Sequence, residues 1–421
     1  MTKSVSASEV NGTVIAPASK SVAQRAIVAA LLATGTSTLH NLTLCNDTEA
    51  ALEIVKTLGA TIEVNGYDYH TTSNGITTLS EKELTLLCGE SGLLTRMITP
   101  VASLLASEVT ITGHGSILKR PVDMIVKPLQ DLGVNICTNN GFLPAVVKGP
   151  LKGGVTHIDG SISSQMLTGL LLALPLAQSD STLYVHNLKS KPYIDITIDL
   201  LQSFGIAIEK ESYEVFRIKG NQQYKPTTYN IEGDWSGASC LLVAGCTAGE
   251  VTVTNLDLDS PQADKAILDV LQLANANVSI NEKKPFSSIT TAYSNSLHAF
   301  EFDANECPDL FPALVALAAS CKGVSKIHGA KRLTHKESNR ALTLQQEFDK
   351  LGIDIAIQDD AMIITGGTIT GGEVSSHNDH RIAMALATAA LKATGTATIS
   401  EAESVNKSYP QFWNDLQDLS K

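Results

Sequence analysis

The sequence predicts an α/β protein of two domains, each made of three β-α-β-α-β-β units packed around buried helices. The first observation behind this is length: 421 residues exceed one small core and suit two domains of roughly 200 residues. The second is a segment that recurs six times: LLATGTSTLHNL (31–42), LLASEVTITGHG (104–115), PLAQSDSTLYVHNL (175–188), CTAGEVTVTNLDL (246–258), SCKGVSKIHGA (320–330) and LKATGTATISEA (391–402). Each closes an Ala/Leu-rich helix, turns through a small or polar residue and opens a β-branched strand. The period is about 70 residues, the scale of one supersecondary unit. The third is the helix before each turn: RAIVAALLA, TRMITPVASLLA, MLTGLLLALPLA, ASCLLVAGC, LFPALVALAAS and RIAMALATAALKA are apolar nearly all round. A helix without a polar face is buried.

The remaining elements follow in order. After each strand the pattern turns to a second, amphipathic helix, clearest in EAALEIVKTLGA (49–60), VKPLQDLGV (126–134), IDLLQSFGI (198–206) and ALTLQQEFDKLGI (341–353). Short alternating runs such as TIEV and ELTLL read as strands. A solenoid would leave the first helix of every unit near its surface, and these helices are too apolar for that. Three units packing those helices into one globule fit better.

Composition narrows the function. With 31 basic and 43 acidic residues the net charge is −12, which repels nucleic acid and anionic membrane. The start, MTKSVSASEV, lacks the apolar core of a signal peptide, and LTGLLLALPLA (167–177) is too short to span a bilayer. Seven cysteines lie scattered with no C-x-x-C pair, which suits neither disulfides nor zinc. A reduced, cytoplasmic protein without metal is expected.

In an acidic protein a cluster of cations carries information. The buried helices open with Ser19-Lys20-Ser21, Glu90-Ser91-Gly92, Ser163-Ser164-Gln165, Asp234-Trp235-Ser236, Pro308-Asp309 and Asn378-Asp379-His380-Arg381. Ser, Asp and Asn here read as helix caps. Lys20, Arg25, Arg96, His380 and Arg381 do not, because a cation near a helix N-terminus opposes the macrodipole unless an anion lies between. Second helices are expected to begin with Arg120, Lys191, Lys336, Arg340 and Lys407, and Thr334-x-x-Glu337 fits a capping box. Helix ends of two domains facing one another would form an electropositive cleft. It would suit a ligand set of about six negative charges, such as two phosphate monoesters and two carboxylates. Glu90, an anion opening an anion loop, is expected to turn from the ligand toward an arginine or a helix cap.

Together Ser19-Lys20-Ser21-x3-Arg25, Ser163-Ser164-Gln165, Ser190-Lys191-Pro192-Tyr193-Ile194-Asp195, Lys336-Glu337-x2-Arg340 and Asn378-Asp379-His380-Arg381 resemble the signature segments of the 5-enolpyruvylshikimate-3-phosphate (EPSP) synthases. The match runs from about residue 14 to the C-terminus, with the six units in order. The resemblance implies a two-domain inside-out α/β barrel, divided as 1–17 with 230–421 and 18–229, with the active site in the cleft between. It implies transfer of the enolpyruvyl group of phosphoenolpyruvate to the 5-hydroxyl of shikimate 3-phosphate in the shikimate pathway, by a monomer without cofactor. Lys20, Ser21, Arg25, Ser163, Ser164, Gln165, Ser190, Tyr193, Asp309 and Lys336 would hold shikimate 3-phosphate. Lys20, Gly92, Arg96, Arg120, Gln165, Arg340, His380, Arg381 and Lys407 would hold phosphoenolpyruvate. Glu337 is the candidate acid toward the methylene carbon and Asp309 the candidate base for the hydroxyl, with Lys20 assisting.

Two other readings stand beside this one. The sister enolpyruvyl transferases acting on UDP-N-acetylglucosamine typically carry an Asn after the first lysine and a reactive Cys five residues before the arginine matching Arg120. Here those positions are Ser21 and Gly115. A non-catalytic binder of phosphorylated carboxylates would explain the loop at 90–96, where Glu90 and Leu93 replace the family's usual Asn and Thr. Met97 also replaces a common proline, and Arg332 stands where an Asn is often found. Against it, a pure binder would not need both Asp309 and Glu337.

Overall fold

The computed structural model describes residues 1–76, 83–334 and 336–420. Contacts divide the chain into two compact units, Met1–Ser19 with Glu232–Lys421 and Lys20–Ile231. The backbone passes from one to the other after Ser19 and returns after Ile231.

In the Lys20–Ile231 unit the apolar helices are α1 (Lys20–Leu32), α3 (Gly92–Ala102) and α5 (Gln165–Ala173), and the amphipathic ones α2 (Asn46–Thr57), α4 (Val126–Asp131) and α6 (Pro192–Ser203). The middle copy shows the unit grammar: strand Leu84–Leu87, α3, strand Glu108–Thr112, α4, then the hairpin Asn135–Asn139 and Phe142–Lys148. The first two strands run parallel, as a strand–helix–strand crossover requires, and the hairpin adds antiparallel to their edge. The copy at the unit's start departs from this grammar. The strand Thr228–Asn230, from the unit's far end, pairs parallel with Thr34–His40.

The other unit holds the apolar helices α7 (Trp235–Ala248), α9 (Phe311–Ser320) and α11 (His380–Ala390), with α8 (Ile267–Leu273), α10 (Arg340–Lys350) and α12 (Phe412–Leu419) as their amphipathic partners. Strand Val10–Ile15 pairs parallel with Gly249–Leu256. The last copy has three strands, because Thr2–Val5 pairs with Ala397–Ser400 in place of a hairpin. In both units the apolar helices pack on one another, α3 on α5 and α7, α9 and α11 mutually, and their side chains are almost wholly buried. Among the described residues no helix is long and apolar enough to cross a membrane.

Two local expectations change. The box at Thr334 and Glu337 does not form. Helix α10 begins at Arg340, and Asn339 caps it by accepting the Leu342 N–H. Glu337 accepts from the Arg340 guanidinium instead. Arg120 and Lys407 do not open second helices either. Arg120 follows, and Lys407 closes, short 3-10 turns at Gly115–Lys119 and Ala402–Lys407. The first of these turns starts at a glycine with φ +63°, ahead of the apolar periodicity that marks α4.

Candidate active site

In the Lys20–Ile231 unit, Lys20, Ser21 and Arg25 occupy the opening turns of α1. Lys20 Nζ donates to Asp47 Oδ2 at 3.0 Å, at the start of α2. Arg25 is 1 % exposed. Its guanidinium donates to Thr197 Oγ1 (2.9 Å), Ser21 O (2.7 Å), Thr168 Oγ1 and Tyr193 O (both 3.4 Å). All four are neutral oxygens, and burial pushes the Arg25 pKa down to about 10. A guanidinium stripped of water and met only by neutral acceptors leaves a charge that an anion would offset.

The same unit joins the loop at Gly92 to the start of α5. Arg96 donates to Gln165 Oε1 at 2.8 Å and to Pro121 O at 3.0 Å. Arg120 lies flat against Gly92, where an added Cβ would stand 2.6 Å from its guanidinium. Only glycine admits the cation this near the helix start. Ser91 caps α3 by accepting the Leu94 N–H and donates to Gln24 Oε1 at 2.9 Å. Glu90 Oε2 accepts the Ser116 N–H at 2.8 Å, so the carboxylate caps the 3-10 turn that leads to Arg120. Ser163 Oγ accepts the Gln165 N–H, while Ser164 and Ser190 are buried at the starts of α5 and α6. Ser190 adopts φ +55°, turning the chain into α6, where Tyr193 sits.

In the other unit, Arg340 is the hub. Nε donates to Asp379 Oδ2 at 2.8 Å, Nη1 to Asp309 Oδ1 at 2.7 Å, and Nη2 to Glu337 Oε2 at 2.7 Å and Asp379 Oδ1 at 3.2 Å. Lys336 Nζ reaches the same Asp309 oxygen at 3.1 Å, and Arg381 stands 4.0 Å from its other oxygen. Burial alone would raise the Asp309 pKa, but Lys336, Arg381 and Arg340 outweigh it and hold the carboxyl well below the usual range. Burial lowers the Lys336 pKa, and Asp309 only partly restores it. Lys407 Nζ donates to Asn378 O at 2.7 Å, and His380 Nδ1 lies 3.9 Å from Asp379 Oδ1.

The structure therefore joins Asp309, Lys336, Glu337, Arg340 and Arg381 in one network and Arg96, Gln165, Gly92 and Arg120 in another. Three groups lie outside the expected set. Asp379 reads in sequence as a cap, which it is, yet it also takes two Arg340 donors. Asp47 carries no signal beyond its place in a helix start. Asp264, in the 3-10 helix Ala263–Ala266, accepts from Ser236 Oγ. Burial and nearby Asp309 push its carboxyl up to about 7, and nothing in LDLDSPQAD separates it from the other acids there.

Two networks of buried cations at the helix starts of a six-unit α/β chain, the one around Arg340 threaded with carboxylates, define a protein that handles small polyanions. The family model for EPSP synthase (3-phosphoshikimate 1-carboxyvinyltransferase) matches residues 5–416. A relative named 3-phosphoshikimate 1-carboxyvinyltransferase from Clostridium novyi is 39 % identical over 419 residues, covering 97 % of this chain and 95 % of that protein. One of the same name from Methanocorpusculum labreanum is 35 % identical, covering 99 % and 97 %. An EPSP synthase structure from Acinetobacter baumannii superposes with a TM-score of 0.85 at 25 % identity, over 100 % of this chain and 98 % of that one. The enolpyruvyl transferase NikO from Streptomyces tendae shares the fold, with a TM-score of 0.79 at 17 % identity, covering 99 % and 96 %. The chain belongs to the EPSP synthase family.

Proposed function

We propose that the chain transfers the enolpyruvyl group of phosphoenolpyruvate to the 5-hydroxyl of shikimate 3-phosphate, releasing phosphate. The observation that carries this reading is the sharing of Arg340 by Asp309 and Glu337, two carboxylates set within a cation cluster. A site built only to hold anions gains nothing from two acids, whereas this reaction needs both a base and an acid. Asp309 takes the proton of the 5-hydroxyl as that oxygen bonds to C2 of phosphoenolpyruvate, and Glu337 delivers a proton to C3. The tetrahedral adduct collapses as the C2–phosphate oxygen bond breaks, and the proton taken up by Asp309 leaves with the phosphate. Glu337, now a carboxylate, removes a proton from C3 and restores the double bond.

The cations divide the two substrates. Arg25, Lys20, Ser21, Ser163, Ser164, Gln165, Ser190, Tyr193 and Lys336 serve shikimate 3-phosphate, the buried charge of Arg25 being the strongest anchor. Gly92, Arg96, Arg120, Gln165 (shared by both substrates), Arg340, His380, Arg381 and Lys407 serve phosphoenolpyruvate, with Lys20 beside the departing phosphate. An Asp309 held this acidic is a weak base. Substrate anions that take up Lys336, Arg340 and Arg381 remove the charges that depress it, so its proton affinity rises when the substrates are in place. All seven cysteines are free thiols, which suits a reducing cytoplasm, and we take the chain to act as a monomer.

The UDP-N-acetylglucosamine reading would put its cysteine at a strained and crowded position. At Gly115, φ is +63° and an added Cβ would meet the Glu90 carboxylate at 2.6 Å. The deciding experiment gives both substrates to purified chain and follows phosphate. Release that saturates in both supports the transferase, and binding of each without release leaves a binding protein.

A further inference from the structure

The loop ahead of α11 carries His380 and Arg381 and receives Lys407, and its shape is set from outside the reacting network. His377 and Asn378 are consecutive non-glycine residues at φ +50° and +54°, a left-handed pair that such residues adopt only when held. This turn points Asn378 O at Lys407 Nζ, 2.7 Å away, and presents Asp379 to Arg340.

Glu347 supplies the hold. It lies on amphipathic α10 with its side chain 2 % exposed. Its Oε1 accepts from His377 Nε2 at 2.7 Å, and its Oε2 accepts the Ser375 N–H at 2.8 Å. Lys350 Nζ reaches both oxygens, at 2.9 and 2.8 Å. Ser375 Oγ accepts the His377 N–H at 3.0 Å, and on the other side Ser376 Oγ donates to Glu401 O at 2.9 Å. Burial would raise the Glu347 pKa, but the bonds from Lys350, His377 and Ser375 outweigh it and the net shift is downward. Helix α10 thus grips one loop twice, through Arg340 on Asp379 and, two turns later, through Glu347 on His377.

We infer that Glu347 and His377 are positioning residues for phosphoenolpyruvate: their hydrogen bond fixes the left-handed turn that sets Lys407, His380 and Arg381. The inference rests on the assignment of those three groups to phosphoenolpyruvate under the proposed function. Neither residue is among the groups assigned to a substrate, and shikimate 3-phosphate is assigned mainly to groups of the other unit.

The test compares wild type with His377→Ala, His377→Gln and Glu347→Gln in the full chain, measuring kcat, both KM values and Tm. His377→Ala is expected to raise KM for phosphoenolpyruvate on the order of tenfold and to lower kcat. KM for shikimate 3-phosphate should stay within about twofold. Glu347→Gln should move the same constants in the same direction. His377→Gln keeps a donor and should recover most of the loss. Unchanged constants, or both KM values moving together with a fall in Tm, would overturn the inference. A wild type that turns nothing over would instead sink the transferase reading. Calorimetric Kd values for the two substrates would then decide the positioning claim by the same split.

Discussion

Arg25 and Arg340 are each 1 % exposed, and they are compensated in opposite ways. Among the described residues Arg25 meets only neutral oxygens, so a bound anion would offset its charge. Arg340 is saturated by Asp309, Glu337 and Asp379, and an incoming carboxylate must compete with them. Because Glu337 is proposed to act on C3 in the transition state, Glu337→Gln should lower kcat at least 100-fold, on the order of a lost general acid. KM for phosphoenolpyruvate should change far less. An unchanged kcat would leave Glu337 as a partner of Arg340 and nothing more.

A second residue-scale prediction concerns Glu232, whose Oε2 has no partner among the described residues. Burial, aided by Asp257 and Asp234, pushes its pKa up to about 7. A raised carboxyl favours the folded state as the neutral acid. Its stability term is therefore intact below the ordinary value near 4.5, shrinks as pH rises, and is lost above about 7. Glu232→Gln should stabilise the chain by roughly 2–3 kcal/mol at pH 8 and by little at pH 5. Denaturant melts at the two pH values give the comparison, and an equal shift at both would contradict it. Residue types were the most legible part of the site, since cations opposing a helix dipole in an acidic chain stand out. Their partners were not: Asp47, Asp264 and Glu347 lie in ordinary acidic or amphipathic stretches, and only folding shows which carboxylates are buried.

At the scale of elements, helix α5 meets α3 through Gly169. A Cβ there would lie 2.6 Å from Arg96 O and 2.9 Å from Met97 Cα. Gly169→Ala should therefore cost about 1–3 kcal/mol through overpacking, read as a fall in Tm. It should also raise KM for phosphoenolpyruvate, because α3 carries Gly92 and Arg96 and α5 carries Gln165. Full stability with unchanged kinetics would contradict this account of the contact. The apolar helices were legible because hydrophobic residues on every side leave burial as the only solution. Boundaries were less so. The capping pattern at Thr334 was overridden by Asn339, and two cations assigned to helix starts follow or close 3-10 turns whose short hydrogen-bonded rings leave no periodicity to read. Glu90 was half legible: its carboxylate does cap a helical turn, but the turn at Gly115–Lys119 rather than its own helix.

At the scale of the whole chain, the repeat was legible because six turns use one grammar. The strand partners that close the units were not. Thr228–Asn230 pairs with Thr34–His40, and Val10–Ile15 with Gly249–Leu256. Such distant pairings leave no local signal and must be found in space. The charge plan works at this scale too: a net charge of −12 keeps the surface acidic while buried cations gather at the helix starts. Addition of an alcohol to an enol carbon followed by loss of phosphate is the reaction proposed for this arrangement. It is tested most directly by running the purified chain in D2O with both substrates and following phosphate and the proton spectrum of the product. Protonation of C3 by a deuterated Glu337 and later removal of a proton from the same carbon predict deuterium in the product's methylene, with one phosphate released per enolpyruvyl ether formed. Tight binding of both substrates with no phosphate released and no deuterium at that carbon would contradict it.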